Sequence, residues 1–505
     1  MRESIEEAQN PLRQSAPEPE ALQLIPEAMA RKHMVIPMSI SNNILRVAMA
    51  NPTDIFALEA LASWTQMRIE PDEAPQEEVL DAIDFNYKAY DEIQQKISSI
   101  STVDEDKEAE KARIDTSIDA PVAQALTMIV DEAVKARASD IHLQPGEEKL
   151  RVRYRIDGTL HDMFSLPLTT ATSLISRIKI LAKMNIADHQ RPQDGQFTVK
   201  AKNRSIDVRV GTIATVHGEM ATLRLLDKSR ATLSLSELGF LPGSLEQFEE
   251  MLKVSYGIIL VSGPTGAGKT TTLYASINTL DRVERNIITV EDPVEYRFEN
   301  INQIQVNPRA GLTFASGLRS ILRLDPDVIL IGEIRDAETA NIAIQSALTG
   351  HLVLSSIHAN DTVGVVLRLV DLGVEPFLVS SALIGVISQR MTRRVCPNCG
   401  SLTEVPASES LAYQQEMGEE KTTFIYGSGC KNCSNTGYRG RTGIFEILRV
   451  NEDIKTLLLK GGTAVEIRKQ ALADGMVPLV KDGMIKVKEG KTTPSEVLRN
   501  AYTGN

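Results

Sequence analysis

A glycine-rich stretch between an apolar run and a helix-like segment constrains this chain more than any other feature. Residues 257–277 read GIILVSGPTGAGKTTTLYASI, in which Gly263, Gly268, Lys269 and Thr270 match the pattern G-x-x-x-x-G-K-[ST]. In such loops the glycines let backbone N–H groups turn towards phosphates, the lysine reaches the β- and γ-phosphates, and the hydroxyl binds Mg²⁺. The helix that follows adds the partial positive charge of its N-terminus. The stretch therefore predicts a nucleotide-binding phosphate loop.

The surrounding pattern favours this interpretation over a tight turn that binds nothing. The bare motif arises by chance in about 2% of chains of this length, and here it also lies between an apolar strand-like run and an amphipathic segment. That strand–loop–helix context is the one in which phosphate loops work. The residues expected to bind the nucleotide are Gly263, Pro264, Thr265, Gly266, Ala267, Gly268, Lys269, Thr270 and Thr271.

Apolar runs beyond the loop predict an α/β domain. From about residue 239 onward, the strand-like runs GIILVSG, NIITVED, DVILIGE and HLVLSSI alternate with helix-like segments. Strands that are apolar on both faces suit a parallel sheet covered by helices on both sides. After residue 396 we predict paired cysteines followed by helical segments.

Acidic residues follow two of these runs. Glu333 ends DVILIGE, and Glu291, Asp292 and Glu295 lie in ITVEDPVEY. Each acid alone is more often a turn or helix-cap residue. Two acidic strand ends beside a phosphate loop favour Mg²⁺ binding and water activation, because ligands bind at the carboxyl ends of parallel strands. His358 directly follows HLVLSSI; a lone histidine is usually an ordinary polar residue, but this position favours a sensor of the γ-phosphate or of a neighbouring subunit.

Two smaller α+β domains precede the α/β domain. In the first, MVIPMSI and ILRVAMA are strand-like runs joined by the turn composition SNN, and PTDIFALEALASW begins with capping residues. Because this domain has no cluster of catalytic residue types, we predict a docking role. Its helix has apolar residues at helical spacing, namely Ile55, Leu58, Leu61 and Trp64.

The second α+β domain begins with an amphipathic run and then changes to period-two patterning. In KLRVRYRIDGTLHDMF, alternation puts Val152, Tyr154 and Ile156 on one strand face, and Asp157-Gly158 is a hairpin signal. Changes in composition predict these segments along the chain: a flexible tail 1–20, the docking domain 21–95, a linker 96–116, the second α+β domain 117–230 and the α/β domain 231–505.

The four cysteines of the chain form two C-x₂-C pairs, CPNC and CKNC. This spacing lets two thiolates of one turn face the same tetrahedral ion. Two disulfides are disfavoured in a reducing cytosol, and a redox CxxC needs no matched second pair. We therefore predict a closed, structural zinc site within residues 396–433, with the ligands Cys396, Cys399, Cys430 and Cys433.

Composition excludes some classes of function. The chain is 42% hydrophobic and 24% charged, as in ordinary soluble proteins, and its 55 Lys and Arg against 67 Asp and Glu give a formal charge of −12. Direct nucleic-acid binding is therefore not expected, because it needs clustered cations. The basic run at residues 390–394, RMTRR, is interpreted as a solvated helix end. No signal peptide and no run of about 18 apolar residues is present, so we expect a cytoplasmic protein that reaches a membrane through a partner or an interfacial patch.

These motifs together resemble the secretion-superfamily ATPases that power type II secretion and type IV pilus assembly (the GspE/PulE and PilB group). The resemblance rests on GPTGAGKTTTLYA, the aspartate box ITVEDPVEY, the Walker B variant DPDVILIGEIRD and the histidine box TGHLVLSSIHAND. ASDIHLQP, RVRYRIDG, RPQDGQ and LRLLD extend it through the second domain, so that it covers roughly 117–505. The first domain is similar to the group's N-terminal docking module, with less specific motifs.

The resemblance implies a homohexameric ring in which each subunit joins a PAS-like domain to a RecA-like ATPase domain, with ATP between them. It implies that Arg209 and Arg224 of the PAS-like domain reach the phosphates. It also implies that Glu291 and Glu333 share Mg²⁺ binding and water activation, and it leaves open which of them is the base. Assembly ATPases of the group carry the tetracysteine element and pilus-retraction ATPases lack it, so an export or assembly motor is indicated.

The function expected from the sequence is therefore a hexameric motor, driven by ATP and Mg²⁺, for pseudopilus or pilus assembly. Its expected partners are inner-membrane platform proteins, and its expected place is the cytoplasmic face of the inner membrane. Two alternatives stay open: a DNA-translocating, conjugation-type ATPase, which the net negative charge and the cysteines disfavour, and a non-catalytic nucleotide-binding scaffold ring, which the intact Lys269, Glu291 and Glu333 disfavour.

Overall fold

The structure is a computed structural model, and it is described in two compact units. One unit holds the chain up to Asp227 together with Cys396–Cys399 and Gly427–Arg439, and the other holds the remainder. The predicted linker and all but residues 17–20 of the predicted tail lie outside the described residues, and the domain boundaries stay predictions. The described residues are 17–41, 43–76, 78–80, 82–83, 87, 119–201, 204–226 and 233–501.

The first part of the N-terminal unit is a three-stranded sheet with short helices. The predicted strand pair is confirmed, since β1 and β2 are antiparallel, and β3 joins β2 in parallel. Helix α3 begins after Asp54, whose carboxylate accepts a hydrogen bond from the Ala57 N–H (3.1 Å). The elements are α1 (Pro19–Leu24), α2 (Glu27–His33), β1 (Val35–Ser41), β2 (Ile44–Met49), α3 (Ile55–Thr65) and β3 (Arg68–Glu73).

The apolar spacing predicted helix α3 correctly but not its buried face. Ala57 and Leu61 are buried, whereas Ile55 and Trp64 are exposed. A short helix on a three-stranded sheet buries only a narrow stripe, which small Ala57 and Leu61 already fill. Trp64 lies beside this stripe, and its indole N–H donates to the Leu24 carbonyl (3.0 Å).

The second part of this unit is a six-stranded antiparallel sheet in the order β6-β5-β4-β9-β8-β7. The predicted strand face is confirmed, because Val152, Tyr154 and Ile156 are buried in the core under two helices. The predicted hairpin is confirmed too, with Asp157 and Gly158 at φ 48° and 92°. The elements are α4 (Asp119–Lys135), β4 (Ala138–Pro145), β5 (Lys149–Ile156), β6 (Thr159–Pro167), α5 (Thr169–Leu181), β7 (Gln193–Ala201), β8 (Arg204–Thr215) and β9 (Gly218–Leu226).

The other unit contains a seven-stranded sheet in the order β12-β11-β13-β14-β10-β15-β18. The four predicted runs form β10, β11, β13 and β14, and their pairings are parallel. Helices on both sides bury the strands, which confirms the predicted α/β class. The elements up to β14 are α6 (Pro242–Leu252), β10 (Gly257–Ser262), α7 (Lys269–Thr279), β11 (Ile287–Glu291), β12 (Asn302–Gln305), α8 (Phe314–Ile321), β13 (Val328–Ile334), α9 (Ala337–Leu348) and β14 (Leu352–Ile357).

The C-terminal third of the chain contains two strands, β15 and β18, that were not predicted from the sequence. The run 390–394 was predicted as a solvated helix end, which is wrong: it lies within β15, where Arg390 is buried. β18 adds a further strand to the sheet where only cysteine pairs and helices were predicted. Both strands carry charged residues that interrupt the apolar pattern, such as buried Glu446, which accepts a hydrogen bond from the Thr362 hydroxyl (2.6 Å).

The predicted helical segments after the cysteines are confirmed. The remaining elements are α10 (Thr362–Asp371), α11 (Pro376–Ala382), β15 (Leu383–Val395), β16 (Gly400–Glu404), α12 (Ala407–Met417), β17 (Thr423–Gly427), β18 (Tyr438–Arg449), α13 (Glu452–Leu459), α14 (Ala464–Ala473), α15 (Leu479–Lys488) and α16 (Pro494–Ala501).

Candidate nucleotide-binding site

The glycine-rich loop connects the end of β10 to the start of α7. Gly263 and Gly268 have φ values of 146° and 89°, in the region that only glycine adopts freely. A Cβ atom on Gly263 would also lie 2.5 Å from the Gln389 carbonyl oxygen, so no side chain fits there. Strand, loop and helix therefore have the arrangement that lets backbone N–H groups face a phosphate.

The Lys269 ammonium group lies over this loop. Its Nζ donates to the carbonyl oxygens of Gly263 (2.8 Å) and Pro264 (3.3 Å). Burial lowers the pKa of Lys269, and the nearby Glu333 carboxylate opposes that shift. The sheet thus brings the lysine of the loop and the acid of β13 together.

Glu333 and His358 meet at the carboxyl ends of two paired strands, β13 and β14. The His358 Nε2 lies 3.5 Å from Glu333 Oε2, and Arg335 Nη2 donates to Glu333 Oε1 (2.5 Å). The Glu333 side chain is 15% exposed. Lys269, Glu333 and His358 therefore lie in one cluster, whereas the catalytic roles predicted for them stay predictions.

Glu291 has a different environment at the end of β11. It is 3% exposed, and its Oε1 accepts hydrogen bonds from Thr289 Oγ1 (2.6 Å) and Gln303 Nε2 (3.1 Å). Its Oε2 accepts a short hydrogen bond from the Tyr274 hydroxyl. Burial, and then the Glu291 carboxylate, raise the pKa of Tyr274 well above its usual value. Both oxygens of Glu291 are therefore engaged, and its predicted role at Mg²⁺ stays a prediction.

Two residues of this site were not identified from the sequence. Tyr274 lies on α7, where its position reads only as part of an apolar helix face. Arg335 lies two residues after Glu333 in the segment EIRD, and its charge gave no signal beyond that of an ordinary surface arginine. The position of Tyr274 could not be predicted without the sheet order, because its contact with Glu291 depends on how α7 packs against β11.

The predicted phosphate-binding arginines lie side by side in the N-terminal unit. Arg209 on β8 and Arg224 on β9 are directly opposite in the register, on the sheet face away from the core. Arg224 has a 62% exposed side chain, and its Nε donates to Asp140 Oδ1 (3.0 Å). Asp140 is itself buried and also lies 3.7 Å from Arg155.

The four cysteines come together in one cluster of the N-terminal unit. Their sulfur atoms all lie within 4.8 Å of one another, with pair distances of 3.8, 3.8 and 3.7 Å. A tetrahedral zinc ion with metal–sulfur bonds of about 2.3 Å holds its sulfurs about 3.8 Å apart. These distances are far longer than a disulfide bond of about 2.05 Å, and the cysteines are free. The donor set fits zinc.

Among the residues that the structure describes, no helix has the length and apolarity to cross a membrane.

Comparisons with known proteins match nearly the whole chain. The family described as "Type II/IV secretion system protein" matches residues 115–499, and the MshEN domain matches residues 11–92. The chain is 40% identical to the type IV pilus assembly ATPase PilB of Myxococcus xanthus over 493 residues, 96% of this chain and 87% of the relative. It is 43% identical to the type II secretion system ATPase E of Vibrio cholerae over 387 residues, 76% of each chain.

Solved structures agree on the fold. The Legionella pneumophila ATPase DotB has a TM-score of 0.55 at 20% identity, covering 77% of this chain and 96% of that one. The pilus retraction motor PilT with bound ADP has a TM-score of 0.51 at 25% identity, covering 75% and 97%. With the phosphate loop and the match over residues 115–499, these comparisons show that the chain belongs to the type II/IV secretion system protein family.

Proposed function

We propose that this protein is an ATP-hydrolysing motor subunit that powers the assembly of a pilus or pseudopilus. The observation that carries the proposal is the phosphate loop, which begins at the same carboxyl edge of a parallel sheet at which Glu333 lies. The relatives named as a pilus assembly ATPase and as secretion ATPases support the cellular role. Whether the assembled fibre is a pilus or a pseudopilus does not change the chemistry of the site.

The phosphate loop and the carboxyl end of β13 supply the groups proposed to act in hydrolysis. The backbone N–H groups of residues 265–271 bind the phosphates, and Lys269 neutralises charge on the β- and γ-phosphates. The Thr270 hydroxyl and the Glu333 carboxylate would hold Mg²⁺, since oxygen ligands of this kind suit that ion. When bound, Mg²⁺ supplies neutralisation of the charge that develops on the phosphate oxygens.

Glu333 is also our choice for orienting the attacking water. The sequence left open whether Glu291 or Glu333 is the base and assigned Mg²⁺ to both. Both Glu291 oxygens accept hydrogen bonds from buried donors, and breaking such a network leaves a buried donor unpaired. The Glu333 side chain is 15% exposed, and its partners Arg335 and His358 are themselves exposed side chains, which suits a residue that meets the γ-phosphate. We therefore give Glu291 a positioning role.

Arg209 and Arg224 stay proposed phosphate ligands. They lie side by side on the polar face of the sheet, so two guanidinium groups are close together. The planar guanidinium group can bind a phosphate with two hydrogen bonds. Replacing Arg224 by Ala should slow hydrolysis about tenfold or more, and the stability of the variant is measured alongside because Arg224 also pairs with buried Asp140. Arg224→Lys keeps the charge but not the fork, and we expect it to restore activity only in part.

We infer that the cysteine cluster holds a structural zinc ion. Elemental analysis should find one zinc per chain on the four thiolates, and chelation should unfold the segment around them, because metal binding and folding are coupled in such sites. Readdition of zinc is the control and should restore the fold. Metal-free protein that keeps this segment folded and remains active would contradict this assignment.

The motor is proposed to work as a homohexamer at the cytoplasmic face of the inner membrane, bound there through platform proteins of the secretion or pilus machinery. The family membership supports an oligomeric assembly of this kind. Sedimentation of the full chain with and without ATP measures the oligomer directly. A monomer at every nucleotide concentration would contradict the ring.

Phosphate release from Mg²⁺-ATP tests the catalytic proposal. Lys269→Ala removes the cation from the phosphates, and we expect release to fall by about a hundredfold or more. Lys460→Ala, which changes an exposed lysine, serves as the matched control and should behave as the unmodified protein does. Equal turnover in all three proteins would eliminate the motor, and nucleotide binding without turnover would favour a non-catalytic scaffold.

A further inference from the structure

Strand β15 continues beyond the end of its neighbour β10 and reaches the phosphate loop. The two strands are parallel, and their last pair is Ser262 with Ser388. β10 then turns into the loop, whereas β15 continues to Val395. The residues that immediately follow Ser388 therefore lie against the loop, and they are Gln389 and Arg390. Neither residue has been given a role in the proposed hydrolysis of ATP.

The Gln389 side chain links the phosphate loop to helix α7. Its Nε2 donates to the Ala267 carbonyl (2.6 Å), and its Oε1 accepts from the Thr272 hydroxyl (2.8 Å). Gln389 is 1% exposed. Ala267 lies within the loop and Thr272 lies in the first turn of α7, so a single buried amide fixes the loop relative to the helix.

Two glycines of the loop pack closely against Gln389. A Cβ atom on Gly268 would lie 3.2 Å from Gln389 Nε2, and one on Gly263 would lie 2.5 Å from the Gln389 carbonyl oxygen. The loop is therefore held directly against the β15 backbone. A loop fixed in this way does not have to be ordered when the nucleotide binds, and pre-organisation of this kind increases affinity.

Arg390 points to the opposite side of the strand, as successive strand residues do. It is 6% exposed. Its Nη2 donates to the Asn360 carbonyl (2.6 Å) and its Nη1 to the Gln389 carbonyl (3.0 Å). Asn360 lies two residues after His358, so the guanidinium group supports the turn that carries the histidine.

Two carboxylates act on the same guanidinium group. Burial lowers the pKa of Arg390, and the carboxylates of Glu446 and Asp361 oppose that shift. The arginine in turn contributes to the lowered pKa of Lys269. Arg390 is therefore a buried cation near the phosphate loop, held by backbone carbonyls on either side.

We propose that Gln389 and Arg390 are positioning residues of the nucleotide site: Gln389 pre-organises the phosphate loop, and Arg390 fixes the turn that carries His358. The proposal rests on the proposed function, since it assumes that the loop binds ATP. According to this proposal, the two adjacent residues of β15 affect different steps, nucleotide binding and turnover. Loss of the Gln389 amide weakens binding of ATP and ADP alike, and loss of the Arg390 fork slows turnover.

The test combines nucleotide binding with steady-state kinetics of the full chain. Gln389→Met keeps the size of the side chain but removes both hydrogen bonds, and we expect affinity for a fluorescent ADP analogue and KM for ATP to weaken about three- to tenfold, with kcat nearly unchanged. Arg390→Lys keeps the charge but not the fork, and we expect kcat to fall about three- to tenfold with KM unchanged. Gln345→Met, on the exposed face of α9, is the control.

Gln389→Glu is a second variant that covers a failure of Gln389→Met to fold. It keeps the acceptor for Thr272 but puts a carboxylate oxygen against the Ala267 carbonyl, so affinity should weaken further. Unchanged ADP affinity in a folded Gln389 variant, or a KM effect in place of the kcat effect for Arg390→Lys, would overturn the inference. Phosphate release by Lys269→Ala is measured alongside, because undiminished turnover in that variant would mean that the proposed function itself fails.

Discussion

Glu291 and Glu333 occupy similar places and have opposite surroundings. Both lie at the carboxyl ends of β11 and β13, which are adjacent parallel strands. Glu291 is buried under α7 and accepts hydrogen bonds from Tyr274, Thr289 and Gln303, whereas Glu333 is partly open and faces cationic and titratable groups. The position of an acid at a strand end therefore predicts that it lies near the ligand edge, and its hydrogen-bond partners decide whether it can act there.

The largest difference should appear in the rate of hydrolysis. Glu333→Gln removes the carboxylate proposed to orient water, and we expect phosphate release to fall by about 10²- to 10⁴-fold while ATP binding is retained. Glu338→Gln changes an exposed glutamate of α9 and is the matched control. Undiminished turnover in Glu333→Gln would remove this residue from the chemistry.

Glu291→Gln should affect stability more than rate. The amide keeps one acceptor oxygen but presents an N–H₂ group to buried donors, so we expect the free energy of unfolding to fall by about 1–3 kcal/mol, measured by urea denaturation. Hydrolysis should fall much less than in Glu333→Gln. A loss of hydrolysis as large as that of Glu333→Gln, in a folded protein, would restore Glu291 as the base.

Tyr274→Phe should have the smallest effect. It removes one of the donors to Glu291 and leaves the ring packing in place, which costs about 1 kcal/mol of stability. Tyr256→Phe, at an exposed tyrosine, is the control and should leave the thermal midpoint unchanged. A Tyr274→Phe protein as stable as the control would show that this short hydrogen bond contributes nothing to the network.

The fold of the α/β unit could be predicted largely from the sequence because its strands are uninterrupted apolar runs. β10, β11, β13 and β14 gave that signal, and the phosphate loop gave the edge at which the ligand binds. β15 and β18 are not uninterrupted apolar runs. In the sequence alone, their buried residues Arg390, Gln389 and Glu446 resemble surface residues. Hydrogen bonds to loops and strands that are distant in the sequence offset the free-energy cost of burying these groups. Local sequence patterns do not identify such partners.

The candidate site was predictable to a similar extent. Lys269 was identified from the glycine-rich motif and Glu333 and His358 from their strand-end positions, and the structure places these residues at the same edge of the sheet. The contrast between Glu291 and Glu333 was not predictable, since it depends on Tyr274 of α7 packing over β11. For the cysteines, the C-x₂-C spacing predicted the cluster, because each turn supplies two thiolates for one ion. The two turns can meet only if the intervening chain folds back.

The most direct test is a structure of the protein with Mg²⁺ and a non-hydrolysable ATP analogue. We expect the phosphates within the loop of residues 263–271, Mg²⁺ on the Thr270 and Glu333 oxygens, and Glu291 still bonded to Tyr274. An empty loop at saturating nucleotide, or Glu291 turned away from Tyr274 to bind the metal, would contradict the account.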